Sequence, residues 1–389
     1  MRKSLHFLDG LRGLAAVYVM IGHARWLLWE GYSQGFVQHP ELYSLPHKVL
    51  MYLLSAFVFG HEAVILFFVL SGFVIHLRYA DQLKQHGAQA TFDWLPFVGR
   101  RARRLYPPFL FAMLLTLLLD TLGRTLGYPI YNQQTIYPLI NSNITSIFDV
   151  PTGLATLAFV GKIYAQDWGS NGPFWSLTYE WWFYMTYPLC WWLSKRSIGL
   201  ATGVIAVAYA LSYVIAYPPL LGIVQLTSSA LLIWWFGALL ADVYTGRINL
   251  RFAWIAPLIL FVPLALVSGR FLPDTSARPQ IQDLLWGFGF TGVLALCCAW
   301  QVHGRSLRWL EWLKPLGDFS YTLYVTHFPI LVFLSGFLMA QSPRLPRDFG
   351  WVAVGIGVCL AFAYVAYRLI EQPALQRRET NVSATPVGS

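Results

Sequence analysis

The chain has 389 residues, 57% apolar and only 12% charged, with a mean hydropathy of +0.52. Soluble domains carry about twice that charged fraction, so a soluble globular protein is excluded. The net charge of +9 does not point to nucleic acid, because most basic residues fall between apolar runs on one predicted side, as membrane insertion alone requires.

Taken in chain order, Met1, Arg2 and Lys3 precede an apolar run from Leu8 to Trp29. The run is too long for the core of a signal peptide and has no small-residue cleavage site. It also holds Asp9, Arg12, His23 and Arg25, so it reads as a first transmembrane helix. Further runs cover 59–78, 106–126, 174–194, 198–217, 221–243, 252–268, 282–302, 318–340 and 349–370. Crossing a bilayer takes roughly 17–25 residues, and the expected fold is therefore all-α, a polytopic bundle of about ten transmembrane helices.

Threading that order from a cytoplasmic N-terminus puts 18 Lys and Arg inside and 8 outside, with Arg12 within a span. The excess places both termini in the cytoplasm. The longest outer stretch runs from Gly127 to Pro173 and contains an apolar piece, Gly153 to Ile163, too short to span and read as re-entrant or interfacial. The inner stretch from Tyr79 to Tyr106 ends in the basic cluster RRARRLYPP. Trp26, Trp29, Trp181, Trp182, Trp191 and Trp192 sit at predicted span ends, where aromatic residues anchor helices at the interface. Residues 1–372 read as one membrane domain and 373–389 as a short, disordered cytoplasmic tail. No internal repeat is visible.

Cys190, Cys297, Cys298 and Cys359 all lie within apolar runs and imply no disulfide framework. Charged and titratable groups in hydrocarbon are costly, which makes each one a candidate for function. Arg12 and His23 are eleven residues apart, which returns them to within about 20° of one helix face, roughly 16 Å apart along the axis. Snorkelling to the inner headgroups is the other reading of Arg12, and an interhelical hydrogen bond that of His23. Glu180 lies at a depth in the fourth run similar to that of His23 in the first. His61 and Glu62 close the outer end of the second run, His327 falls near the middle of the ninth, and Ser71 near the middle of the second. Ser71 followed by Gly72 is most simply a close-packing pair. No HExxH, no Cys/His cluster at metal-ligand spacing and no GxxxxGK[ST] loop occurs, so no metal or nucleotide-driven chemistry is expected.

Six segments together resemble acyltransferase family 3, the bacterial membrane O-acyltransferases of surface glycans. They are LDGLRGLAAVYVMIGH (Leu8 to His23), FFVLSGF (Phe67 to Phe73), RRARRLYP (Arg100 to Pro107), WSLTYEWWFY (Trp175 to Tyr184), YTLYVTHFP (Tyr321 to Pro329) and YRLIEQP (Tyr367 to Pro373). They recur in order over essentially the whole chain.

The resemblance implies a ten-helix domain in the bacterial inner membrane that takes an acyl group, usually acetyl, from cytoplasmic acyl-CoA. It implies a saccharide, glycan or lipid-linked acceptor and no bound cofactor. It carries the family's first-motif arginine and histidine onto Arg12 and His23 and its glutamate onto Glu180. Its basic motif falls on Arg103 and Arg104, its late histidine on His327 and its C-terminal glutamate on Glu371. The chain resembles the family's stand-alone form, without the soluble domain that some relatives append, so the acceptor is expected to reach the membrane domain itself.

On this reading His23 is the general base for the acceptor hydroxyl and Glu180 orients and charge-balances its ring. Arg12, Arg100, Arg101, Arg103 and Arg104 hold the CoA phosphates, while Ser71 and His327 contact substrate. Ordinary topogenic charge also accounts for the basic cluster. Direct transfer is favoured over an acyl-enzyme because no serine or cysteine is evidently activated. A transporter or flippase of lipid-linked sugars is the alternative from another class.

Overall fold

The computed structural model describes residues 5–214, 221–274 and 278–376. Arg2 and Lys3, and Arg377 and Arg378 with most of the expected tail, lie outside the described residues. Helix dominates throughout, and an isolated bridge between Ile147 and Trp168 is the one piece of β pairing among the described residues. Helices of 17 residues or more are numbered α1 (His6–Leu27), α2 (Gly60–His86), α3 (Trp94–Thr125), α4 (Phe174–Arg196) and α5 (Ile198–Val214). They continue with α6 (Gly222–Thr245), α7 (Phe252–Ser268), α8 (Arg278–Val302), α9 (Ser320–Gln341) and α10 (Gly350–Ala366). Each lies over one of the apolar runs.

Six helical stretches among the described residues are long and apolar enough to cross a membrane. These are Leu45–Gln89, which contains α2, then α3, α6, α8, α9, and Gly350–Gln376, which contains α10. The other four fall short for identifiable reasons. α1 and α4 have 22 and 23 residues but carry Asp9, Arg12, Arg25 and Glu180 and a dense Trp/Tyr run, while α5 and α7 have no more than 17.

Helix boundaries depart from the apolar runs where strong helix formers extend them. α2 runs on to His86, and α3 begins at Trp94, so the whole basic cluster is helical. Arg, Lys and Gln are nearly as helix-favouring as Leu, and nothing in that stretch breaks the helix before Gly87. Leu45–Leu54 forms a helix in what the sequence suggested was connecting chain, joined to α2 across a kink at Phe57. The apolar piece Gly153 to Ile163 falls on two short helices, Val150–Leu157 and Gly161–Tyr164. Phe159 breaks them with φ of 54°. Past α10 the helix continues through a π turn, Tyr367–Glu371, to Gln376.

The chain divides into two compact units. The first comprises the residues up to Ala15, His61–Leu95 and Ser176–Lys314. Here α2 and α6 touch backbone to backbone: a Cβ on Gly72 would lie 1.9 Å from the Trp234 carbonyl oxygen, and one on Gly237 1.9 Å from that of Val69. A buried polar cluster joins α2, α4 and α6. His76 Nδ1 meets the Tyr187 hydroxyl at 2.9 Å and its Nε2 meets Asp242 at 3.1 Å. Arg247 pairs with the same carboxylate at 3.1 Å and donates to Ser194 Oγ at 2.8 Å. Buried charge needs such pairing, and here three helices supply it.

The second unit comprises Ala16–Gly60, Pro96–Trp175 and the residues from Pro315 on. α9 is the most enclosed of the six apolar stretches and that containing α10 the least. The Tyr321 hydroxyl of α9 reaches the Leu105 carbonyl of α3 at 3.0 Å, and Ser335 Oγ reaches the Leu27 carbonyl of α1 at 2.6 Å.

Candidate active site

The site grows from α9 and the part of α1 from Ala16 on, both in the second unit. α1 is built largely of small and aliphatic residues, which lets its backbone approach its neighbours: a Cβ on Gly22 would lie 2.8 Å from the Phe57 carbonyl oxygen. His23 follows directly. On α9, His327 has no exposed surface. The two rings meet, with His23 Nδ1 2.8 Å from His327 Nε2 and the planes 12° apart. Phe328 closes one side with its ring edge-on to His23 at 4.9 Å.

The tautomers follow from the partners. His327 Nδ1 lies 3.0 Å from the Leu323 carbonyl, which can only accept, so Nδ1 carries the proton. In a neutral ring Nε2 is then an acceptor. The contact from His23 must therefore be donated by His23 Nδ1–H, and His23 Nε2 is left with a lone pair. The chain Leu323 carbonyl, His327, His23 thus fixes which nitrogen of His23 is basic, the service an orienting partner performs for a catalytic histidine.

Pro329, two residues beyond His327, has no N–H and cannot donate to the Val325 carbonyl one helical turn back. Asn171 fills that position: its Nδ2 donates to Val325 O at 2.9 Å and to Thr116 Oγ1 at 3.2 Å. Asn171 itself is fully buried. Its loop is held from the other side by Asp120, whose carboxylate accepts from Ser170 N at 2.8 Å, Ser170 Oγ at 2.7 Å and Ser146 Oγ at 2.7 Å. Gly169, at φ of 62°, turns the chain where a Cβ would come within 2.6 Å of Thr116 and 2.7 Å of Phe148, so only glycine serves there. The Tyr324 hydroxyl adds a bond to the Pro173 carbonyl at 3.4 Å.

The remaining expected residues are distributed between the units. His23 and His327 come together. Glu371 is buried and accepts from Thr322 Oγ1 at 2.5 Å, closing α9 against the C-terminal helix. Arg103 is exposed and Arg104 half-buried on the first turns of α3. Arg12, Ser71 and Glu180 belong to the first unit. There Ser71 Oγ accepts from Trp234 Nε1 at 3.2 Å, and the Glu180 carboxylate accepts from the Tyr184 hydroxyl.

Sequence reasoning did not single out Asn171. Its signal was available: HFP in the middle of a span leaves one carbonyl unpaired, and a buried donor has to come from elsewhere. Glu30 was also passed over. It is 1% exposed just beyond α1 and pairs with Arg344 Nη1 at 3.3 Å and Arg347 Nε at 3.1 Å. The Tyr137 hydroxyl donates to the same carboxylate at 3.3 Å, and that of Tyr43 to the Glu30 carbonyl at 2.8 Å. Burial pushes both phenols up to about 12, so both remain donors throughout the working range of pH.

The sequence model of a family described as an acyltransferase domain matches residues 5–368 of the chain. Nodulation protein 10 from Rhizobium leguminosarum bv. viciae is 26% identical over 398 residues, covering 96% of this chain and 94% of that protein. No solved structure matches the chain.

Proposed function

The chain belongs to this acyltransferase family and is an integral membrane protein, and from that premise we propose that it is an O-acyltransferase moving an acyl group, most simply acetyl, from acyl-CoA to a hydroxyl of a saccharide or glycan. The observation that carries this reading is the His23–His327 pair, which leaves one defined imidazole nitrogen available inside a chain of acyltransferase ancestry. In the proposed step, His23 Nε2 takes the acceptor hydroxyl proton as the oxygen attacks the thioester carbonyl. The new C–O bond forms, the C–S bond breaks, and the proton passes from the imidazolium to the departing thiolate. Positive charge developing on His23 strengthens its Nδ1–H donation to His327, so the partner contributes more in the transition state than before it. A general base so placed typically contributes about 10²–10⁴-fold.

Other roles rest on the motifs. Arg12, Arg103 and Arg104 are proposed to hold the CoA phosphates, because guanidinium groups suit bidentate phosphate contacts. Glu180 is proposed to balance the imidazolium charge, and Ser71 to contact substrate. About ten spans, with both termini cytoplasmic, in a bacterial inner membrane complete the proposal. The acceptor class is in keeping with the name of the nodulation protein no further than that name goes.

The direct test is transfer of labelled acetyl from acetyl-CoA into glycan, in membranes of the native host expressing wild type or His23→Gln at equal level. Label that appears with wild type and is lost with the variant supports the assignment. Transfer that survives the substitution removes His23 as the base. Absence of transfer from acetyl-CoA and from longer acyl-CoAs shifts the reading to transport of lipid-linked sugars.

A further inference from the structure

Away from the histidine pair, α9 ends at a cavity of about 470 Å³, within the roughly 300–1,000 Å³ of ordinary ligand sites. Its polar lining is Glu30, Gln341, Ser342, Arg344 and Arg347, and its aromatic wall is Trp351.

The charge at this cavity exceeds what the fold needs. Glu30 is buried, and a single arginine would neutralise it. Two are present, with side chains 45% and 39% exposed, so each fork also faces outward. The neighbouring Asp348 is turned to the Gly350 amide at 3.0 Å and does not line the cavity. Among the side chains that line the cavity, one positive charge is left over. Planar guanidinium and amide groups beside an indole ring are the chemistry of a site for hydroxyls and a carboxylate on a ring with an apolar C–H face.

Its position gives the length of the ligand. α1 and α9 run in the same direction, since His23 meets His327 and, further on, the Leu27 carbonyl meets Ser335 Oγ. Following both away from the histidines leads to the cavity, with Glu30 just past α1 and Gln341 the last residue of α9. From His327 to Leu338, the first residue of α9 to line the cavity, the helix rises by about 16 Å, at 1.5 Å per residue. One sugar does not reach across that span.

We propose that this cavity is a distal subsite for an acidic sugar of an extended oligosaccharide acceptor, the ring lying on Trp351 and its carboxylate taken by Arg344 and Arg347. This deepens the acyl-transfer reading and rests on it for the word acceptor. The site also predicts binding that does not depend on transfer.

The test uses the full chain in neutral detergent with two probes, tetragalacturonate and its carboxyl-reduced neutral tetramer, measured by calorimetry at low and moderate salt. Wild type should bind the acidic tetramer about tenfold more tightly, the margin of one charge-assisted contact. Arg344→Gln, which leaves Glu30 paired with Arg347, should erase that preference, while Arg344→Lys retains part of it. Trp351→Ala should weaken both tetramers. Equal binding of the two tetramers, binding of neither, or an acidic preference that survives Arg344→Gln overturns the proposal. So does displacement of the acidic tetramer by phosphatidylglycerol, which would make this a lipid headgroup site. Arg344-dependent binding without transfer from acetyl-CoA or from longer acyl-CoAs would retire the acyl-transfer reading and keep the subsite. Transfer with Arg344-independent binding would do the reverse.

Discussion

The side-chain amide of Asn171 donates at 2.9 Å to the carbonyl of Val325, the carbonyl that Pro329 leaves without a helical donor. A loop residue thereby replaces a missing backbone hydrogen bond two residues from His327. Asn171→Ala leaves that buried acceptor unsatisfied, at a cost of about 1–3 kcal/mol. Restoring the N–H with Pro329→Ala should recover part of the loss. Thermal unfolding in detergent of both single variants and the double variant forms a cycle. The expected result is a double variant more stable than the sum of the singles allows, and strict additivity would mean the two residues do not share this carbonyl.

The histidine pair predicts an order of severity. His23→Gln removes the basic nitrogen and should lower transfer by about 10²-fold or more. His327→Phe removes only the acceptor and leaves His23 Nδ1–H without its partner, so its loss should be smaller. His327→Gln keeps an acceptor oxygen and should be mildest. The measurement is the rate of acetyl transfer at matched protein levels. If His327→Gln were as inactive as His23→Gln, His327 would have a role beyond orienting its neighbour.

Much of the fold was legible because membrane spans are set by local composition. Each apolar run became a helix, and the errors lay where composition stops discriminating. The basic stretch before Tyr106 is helical because arginine favours helix in water as leucine does in lipid. Leu45–Leu54 is short and apolar, a pattern that length alone does not resolve. The two histidines of the candidate site were legible singly but not as a pairing. His23 and His327 stood out as titratable groups in hydrocarbon, whereas their contact depends on how α1 and α9 are rotated against each other. Glu30 and its arginines lie more than 300 positions apart in the chain, and no local rule links them.

That charge group makes a stability prediction. Glu30→Ala removes the one carboxylate between two guanidinium groups, and removing one partner of a buried pair costs about 3–5 kcal/mol. Both arginines are more than a third exposed, so water offsets part of this, and the expected loss is at or below the low end of that range. Arg344→Gln keeps Glu30 paired with Arg347 and should cost no more than about 1 kcal/mol, as for an exposed pair. Unfolding temperatures of the two variants in one detergent check the asymmetry, which reverses if Arg344 alone balances Glu30.

The contact between α2 and α6 predicts opposite outcomes for two chemically identical changes. A methyl group on Gly72 would sit 1.9 Å from the Trp234 carbonyl oxygen, a backbone atom that no side-chain rotation can move. Gly72→Ala therefore forces the helices apart and should destabilise by at least about 1–3 kcal/mol, as overpacking does. Small residues at such crossings are what allow close helix packing in lipid, where no hydrophobic force draws helices together. Gly203, within α5, has nothing within 4 Å of the position its Cβ would take. Gly203→Ala should be neutral or stabilising by up to about 1 kcal/mol through helix propensity. The measurement is the folded fraction of each variant after graded heating in detergent, read by size exclusion. Loss for Gly72→Ala with retention for Gly203→Ala is the expected pattern. Equal behaviour of the two would show that the α2–α6 crossing relaxes without cost, and that Gly72 is not required for it.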